Sequence, residues 1–506
     1  MDQGIGSWPR RRARMEPDAV ALIQQGRRVD YATLARRVDA LAATLADFGV
    51  EAGDRVAYLG HNDIATFETL FATVHLGAIF VALNTRLTAP EIAGLLDDST
   101  PTVFVIGADT EAVGIDALAR SSTAPRLLHP GEEYEHAITE HAGRTPPARA
   151  VGLDDPALIL YTSGTTGRPK GAVLTHGNIV WNTLNQFAHF SLGRDDVSLC
   201  SAPLFHVLGL GQITLPTLYV GGTVIVIPKF DPAEFLAIIE HRRATAFPLA
   251  PTMLKMLCEA PEWETTDLSS VRCVAFGGSP VLEHVAKAWL DRGIQALQGY
   301  GMTEAAPGVL MALRHGADAH PVSAGVPHFF TDVALLTPTG EIIEGPGQGE
   351  LLVKGPNVFA GYWQRPDATE QAFIDGWFRT GDIIRIDEDG WAYIVDRVKD
   401  MIISGGENIY PVEVEAAIAR LDGVGDCAVV AVPDERWGEV GLAFIVVRAG
   451  HVVDEDTIRA HLEAHLARYK IPKFYVFREQ LPRNALGKIQ RLPLRDEARR
   501  LRDSAP

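Results

Sequence analysis

Residues 161–173, YTSGTTGRPKGAV, place the hydroxyls of Thr162, Ser163, Thr165 and Thr166 among Gly164, Gly167 and Gly171, with Arg168 and Lys170 as cations and no carboxylate. Glycines let a backbone approach a ligand, hydroxyls donate and Lys170 supplies charge, so a phosphate is the natural occupant. The stretch is not a Walker A loop, because five residues on from Gly164 stands Pro169 and Lys170 is followed by Gly171. Composition alone leaves an ordinary flexible loop open. A second cluster, GYGMTE (299–304), offers Tyr300 as a purine platform, Thr303 as a phosphate donor and Glu304 as an oxygen ligand for Mg²⁺. A turn with a surface glutamate is the plain alternative. GWFRTGD (376–382) supplies Asp382 as a ribose acceptor, DRVKDMIISGGENIYPVEVE (396–415) follows, and PRNALGKIQR (482–491) sets Lys488 in a glycine-containing loop.

These segments need a frame that brings them together. The chain has 506 residues, 47 % hydrophobic and 22 % charged, which fits several globular domains. The net charge, 46 − 64 = −18, lacks the basic footprint of a general nucleic-acid binder. Short apolar runs such as ALILYT, TVIVIP and VRCVAFGG alternate with helical stretches, which predicts an α/β fold with largely parallel sheets. ALILYT reads as a strand entering the first loop and HGNIVWNTLNQF as the helix leaving it. From about residue 325 to 396 shorter strands and turns predict a β-rich subdomain. After DRVKD (396–400) a small α+β unit begins: Pro411 opens a helix with Val414, Ala417, Ile418 and Leu421 on one face, and a later helix carries Ile458, Leu462 and Leu466. The division expected is a large domain, 1–396, and a small mobile one, 397–506.

Residues 207–227 run without a charge for a length that could span a bilayer, but Gly221-Gly222 splits them into a buried helix and a strand. Cys200, Cys258, Cys273 and Cys427 are widely spaced and read as buried thiols in a reducing cytoplasm. PRRRAR (9–14) precedes no apolar segment of a signal peptide. It reads as a helix start, with a weak peripheral contact to anionic membrane as the alternative. HLEAH (461–465) has two histidines at i, i+4 but not the order of a zinc helix, and reads as a solvated face.

In this order and spacing, YTSGTTGRPKG, GYGMTE, FRTGD, DRVKD…GGENIYP and PRNALGK resemble the adenylate-forming superfamily of acyl-CoA synthetases, nonribosomal adenylation domains and luciferases. The resemblance covers essentially the whole chain and is strongest to bacterial fatty-acyl-CoA ligases. It implies that Thr162, Ser163, Gly164, Thr165, Thr166, Gly167 and Lys170 close over the phosphates of ATP. Gly277, Gly278 and Ser279 would line adenine and acyl group, and Gly299, Tyr300, Gly301 and Met302 the nucleotide, with Tyr300 stacked on adenine. Thr303 would touch phosphate, Glu304 bind Mg²⁺, and Asp382 and Arg397 hold the ribose. Lys488 would bridge the substrate carboxylate and the α-phosphate, Lys399 would be the hinge, and Ser404, Gly405 and Gly406 would border the pantetheine channel of coenzyme A, with Trp437 near its entrance.

Within that family PLFHVLGLG (203–211) lies on the acyl side, and His206 stands where amino-acid-activating relatives carry an aspartate. That favours a plain carboxylic acid, and His206 joins Lys488, Thr303 and Glu304 among the catalytic candidates. Gly209 and Gly211 either leave room for a long chain or allow close packing. The chain stops 18 residues after Lys488, so no fused carrier domain is expected. The expectation is a cytoplasmic CoA ligase for a medium- to long-chain fatty acid. An aryl-acid ligase is the runner-up, and a catalytically dead binding relative the non-enzyme alternative; homo-oligomerisation is left open.

Overall fold

The computed structural model describes residues 2–147, 149–162, 169–277, 283–294, 296–317, 320, 323–337, 339–397, 402–409, 411–482, 489 and 491–503. The fold is the expected mixed α/β. A seven-stranded sheet has a parallel centre of Arg55–Leu59, Ile79–Leu83, Val103–Ile106 and Pro156–Thr162, with Lys170–Thr175 added antiparallel. Helices cover both faces, so strands such as IFVAL are apolar at every position rather than at alternate ones. A nine-stranded sheet runs parallel through Thr223–Val226, Val197–Cys200, Ala246–Leu249, Cys273–Gly277 and Ala296–Gly301, then turns antiparallel at Gly308–Met311.

The β-rich segment is a six-stranded antiparallel sheet centred on Gly347–Lys354 and Trp377–Ile386. A last sheet of five strands, led by Val424–Asp434 and Gly438–Val447, carries the helices Pro411–Ile418, Glu455–Glu463 and Arg491–Asp503. Val414, Ala417, Ile418, Ile458 and Leu462 are buried in its core as their spacing requires. Leu421 and Leu466 pack there too, but lie beyond the last helical turn.

The uncharged stretch 207–227 forms the helices Val207–Gly211 and Thr214–Val220 and the strand Thr223–Val226, broken at Gly221, whose φ of +92° suits glycine. Among the described residues no helix is long and apolar enough to cross a membrane. Three of the four arginines of the helix Trp8–Met15 turn to their own chain: Arg10 pairs with Asp39, Arg11 with Ser7 and Arg12 with the Tyr219 carbonyl, while Arg14 is exposed. His461 is half-buried rather than solvated and bonds the Ala417 carbonyl at the end of another helix, while His465, beyond the last helical residue, bonds the His461 carbonyl. All four cysteines are free; Cys258 is the one not fully buried.

Candidate active site

The parallel strands Cys273–Gly277 and Ala296–Gly301 pair Gly277 with Gly299 at their carboxyl ends. A Cβ on Gly277 would stand 2.6 Å from the Gly299 carbonyl, so this edge accepts no side chain and leaves backbone facing the space beyond. That space is a cavity of about 1870 Å³. It is bordered by Thr162, Lys170, His206, Gly277, Gly299, Tyr300, Gly301, Met302, Thr303, Glu304 and Asp382 of the large unit, and by Gly405, Gly406 and Trp437 of the small one. Residues that the sequence scatters over 162–437 thus meet in one place. Ser404 is buried beside the two glycines, and Arg397 is paired with Asp382 in the strand register. The assignments to Ser163, Gly164, Thr165, Thr166, Gly167, Gly278, Ser279, Lys399 and Lys488 lie outside the described residues.

Tyr300 and Asp382 come from different sheets, and the Tyr300 hydroxyl donates to Asp382 Oδ2 at 2.7 Å. The bond fixes the ring and holds the carboxylate beside it, which suits a purine stacked on one and a ribose held by the other. Glu304 is buried at the start of a short turn, and its Oε1 accepts from the Tyr362 hydroxyl at 2.9 Å. Lys170 Nζ lies 4.9 Å from the centre of the Tyr362 ring, and Thr162 Oγ1 is 3.3 Å from the Lys170 carbonyl. Burial pushes the Glu304 carboxyl above its ordinary value, with Tyr362, Lys170 and Thr162 pulling the other way. Among the described residues no group of three His, Cys, Asp or Glu side chains could cage a metal. Glu304, a single buried carboxylate, could hold a Mg²⁺ only as one ligand beside nucleotide phosphates and water.

On the acyl side the structure decides between the two readings left open for Gly209 and Gly211. A Cβ on Gly209 would stand 2.3 Å from the Pro203 carbonyl, and one on Gly211 2.7 Å from the Ala306 carbonyl and from Pro307. Both glycines serve close packing and open no room for a long chain.

Charged contacts join the small unit to the large one. His206 Nε2 lies 3.0 Å from Glu407 Oε2, and Arg86 Nη1 2.7 Å from Glu407 Oε1. Lys470 Nζ, nearly buried, reaches Glu91 of the large unit and Glu413 of its own, each at 2.8 Å. The Trp437 indole packs on Gly405, with the Arg436 guanidinium 4.7 Å from its ring centre. Sequence reasoning missed Tyr362, Arg86 and Lys470, and passed over Glu407 although it stands inside GGENIYP; none carries a signal before its distant partner is known.

The AMP-binding enzyme family model matches residues 9–363, and that of the AMP-binding enzyme C-terminal domain matches residues 413–488. A feruloyl-CoA synthase of an Amycolatopsis species is 49 % identical over 99 % of both chains. FadD13, a long-chain-fatty-acid–CoA ligase of Mycobacterium tuberculosis, is 37 % identical over 98 % of both. Among solved structures, a double mutant of o-succinylbenzoate CoA synthetase (MenE) from Bacillus subtilis bound with its product analogue OSB-NCoA superposes with a TM-score of 0.88, at 31 % identity over 97 % of this chain and 98 % of that one. The same enzyme with its acyl-adenylate intermediate OSB-AMP gives 0.71, at 31 % identity over 96 % and 97 %.

Proposed function

From the premise that this chain belongs to the AMP-binding enzyme family, as an ATP-dependent acid–CoA ligase that forms AMP, we propose that its substrate is an aromatic carboxylic acid. The observation that carries this reading is the similarity to feruloyl-CoA synthase, 49 % against 37 % for the fatty-acid ligase over the same length. The close packing of Gly209 and Gly211 supports it, and the fatty-acid expectation gives way to the aryl alternative.

In the first step the substrate carboxylate attacks the α-phosphorus of ATP and pyrophosphate leaves. Tyr300 and Asp382 hold the nucleoside, while Thr162, Lys170 and Thr303 face the phosphates, so the approach of two anions occurs against fixed positive charge. Mg²⁺, when bound through Glu304, would neutralise phosphate charge. Lys488 takes the bridging position that its motif implies. In the second step the thiol of CoA attacks the acyl carbonyl and AMP leaves. Gly405, Gly406, Glu407 and Trp437 already border the cavity, and the higher similarity to the OSB-NCoA complex supports a docking suited to this step. Turning the small domain about Lys399 would exchange it for Lys488 between steps.

The test is acid-dependent ATP–pyrophosphate exchange together with CoA thioester formation over matched aromatic and aliphatic acids. Aromatic acids should show the higher kcat/KM; a higher value for long-chain fatty acids overturns the assignment.

A further inference from the structure

The helix His176–Phe190 turns fully buried amides, Asn182 and Gln186, toward the nine-stranded sheet, where apolar residues are the rule. They belong to a chain of hydrogen bonds whose direction is fixed at one end by the backbone. The Gly211 carbonyl can only accept, so Asn182 Nδ2 donates to it at 2.8 Å. Asn182 Oδ1 must then be an acceptor, and it takes the Gly308 N–H at 3.3 Å and Gln186 Nε2 at 3.1 Å. Gln186 Oε1 in turn accepts from Gln212 Nε2 at 3.0 Å. Two backbone groups of known polarity thus settle the orientation of three side-chain amides that distance alone would leave ambiguous.

The consequence appears at the far end. Gln212 is 5 % exposed and borders the cavity, together with Leu208, Pro307, Leu310 and Met311. Its Nε2 donates to Gln186, which fixes the side of the amide that carries the carbonyl, and among the described residues nothing donates to its Oε1. An oriented amide carbonyl is thereby presented to the cavity from an apolar wall. Such a group is satisfied by a neutral donor and is costly to cover with a carbon.

We infer that Gln212 is a specificity-determining residue, whose amide carbonyl accepts a hydrogen bond from a hydroxyl on the ring of the acid substrate. This rests on the aryl-acid reading above and narrows it to hydroxylated aromatic acids. The Gln186–Asn182 chain is the positioning device that prevents the amide from turning over.

The test compares, on the wild-type enzyme, an aromatic acid, its ring-hydroxylated isomers and their methyl ethers, which keep the oxygen but lose the donor. One hydroxylated isomer should exceed both its parent and its methyl ether by about 10-fold or more in kcat/KM, the scale of a lost partner for a partly buried acceptor. Gln212→Met should bring those ratios close to one while leaving the KM for ATP unchanged. Where that variant does not fold, the comparison of hydroxyl and methyl ether on the wild-type enzyme decides alone. Equal use of parent, hydroxyl and ether overturns the inference and leaves the aryl reading standing, as does a hydroxyl preference that survives in Gln212→Met. Failure to use any aromatic acid overturns the aryl reading itself, and this inference with it.

Discussion

Glu407 Oε2 of the small unit lies 3.0 Å from His206 Nε2 of the large one, across 201 residues of sequence. Burial alone would raise the Glu407 carboxyl, but His206, Arg86 and Lys470 together hold it below its ordinary value, so it is docked as an anion. Because the partners belong to different units, the contact depends on this docking. Glu407→Gln keeps the shape and removes the charge. A charge-assisted bond contributes about 1.5–3 kcal/mol, which corresponds to a 10- to 100-fold effect. Transfer of a pre-made acyl-adenylate to CoA should slow by that factor in single turnover, with ATP–pyrophosphate exchange nearly unchanged. Equal slowing of both would contradict a role specific to the docked state.

Lys470 makes the stronger prediction. Its ammonium is buried between Glu91 and Glu413, one from each unit. Lys470→Met would leave two carboxylates facing one another at the interface, and breaking a buried pair costs about 3–5 kcal/mol. The thioester step should fall by more than about 100-fold. Glu91→Gln should act in the same direction and more weakly, since Glu413 still answers the lysine. Full thioester activity in Lys470→Met would show that the ion cluster does not hold the docked state.

The site's chemistry was legible where residue type and spacing carry it. Lys170, Tyr300, Glu304 and Asp382 could be singled out because each offers a group that a nucleotide needs. The helix–turn–strand logic around Gly221 was legible too, because glycine pairs punctuate local structure. The Tyr300–Asp382 bond was not, since 82 residues and two sheets separate the partners. Tyr362, Arg86 and Gln212 look like any surface polar residue until the fold supplies a neighbour. Gly209 and Gly211 were ambiguous for a deeper reason: a missing side chain can leave space or admit a backbone, and only the Pro203 and Ala306 carbonyls decide which. Leu421 and Leu466 kept their period but left their helices, because burial constrains the face of a residue more tightly than its backbone.

Acid should destabilise the protein through His176. Its ring is fully buried, and Nδ1 accepts the Ile5 N–H at 3.0 Å, so the bond requires the neutral form. Burial holds the group down to about 4 from an ordinary 6.5, although Asp155 and Asp2 pull it up. The unfolded chain therefore binds the extra proton first, and stability present above about pH 6.5 is lost as pH falls toward 4. The loss from this residue is roughly 3 kcal/mol. Thermal melts between those limits should show the fall, and His176→Gln, which retains an acceptor without titrating, should flatten part of it. An identical slope in the variant would assign the acid sensitivity elsewhere.

The last prediction concerns the metal that Glu304 suits. A buried carboxyl with a raised pKa must lose its proton before it can bind a cation, so metal affinity and pH are linked. The Mg²⁺ concentration for half-maximal ATP–pyrophosphate exchange should fall as pH rises through the Glu304 transition, then level. Tyr362 donates to Glu304 Oε1 at 2.9 Å and so favours the ionised form. Tyr362→Phe removes that donor, and should move the transition to higher pH without abolishing exchange at saturating Mg²⁺. Glu304→Gln should remove the pH dependence of the Mg²⁺ requirement and lower adenylation by about 100-fold, the scale of one preorganised electrostatic group. A Mg²⁺ requirement that does not change with pH in the wild-type enzyme, and is the same in Tyr362→Phe, would place the metal away from Glu304.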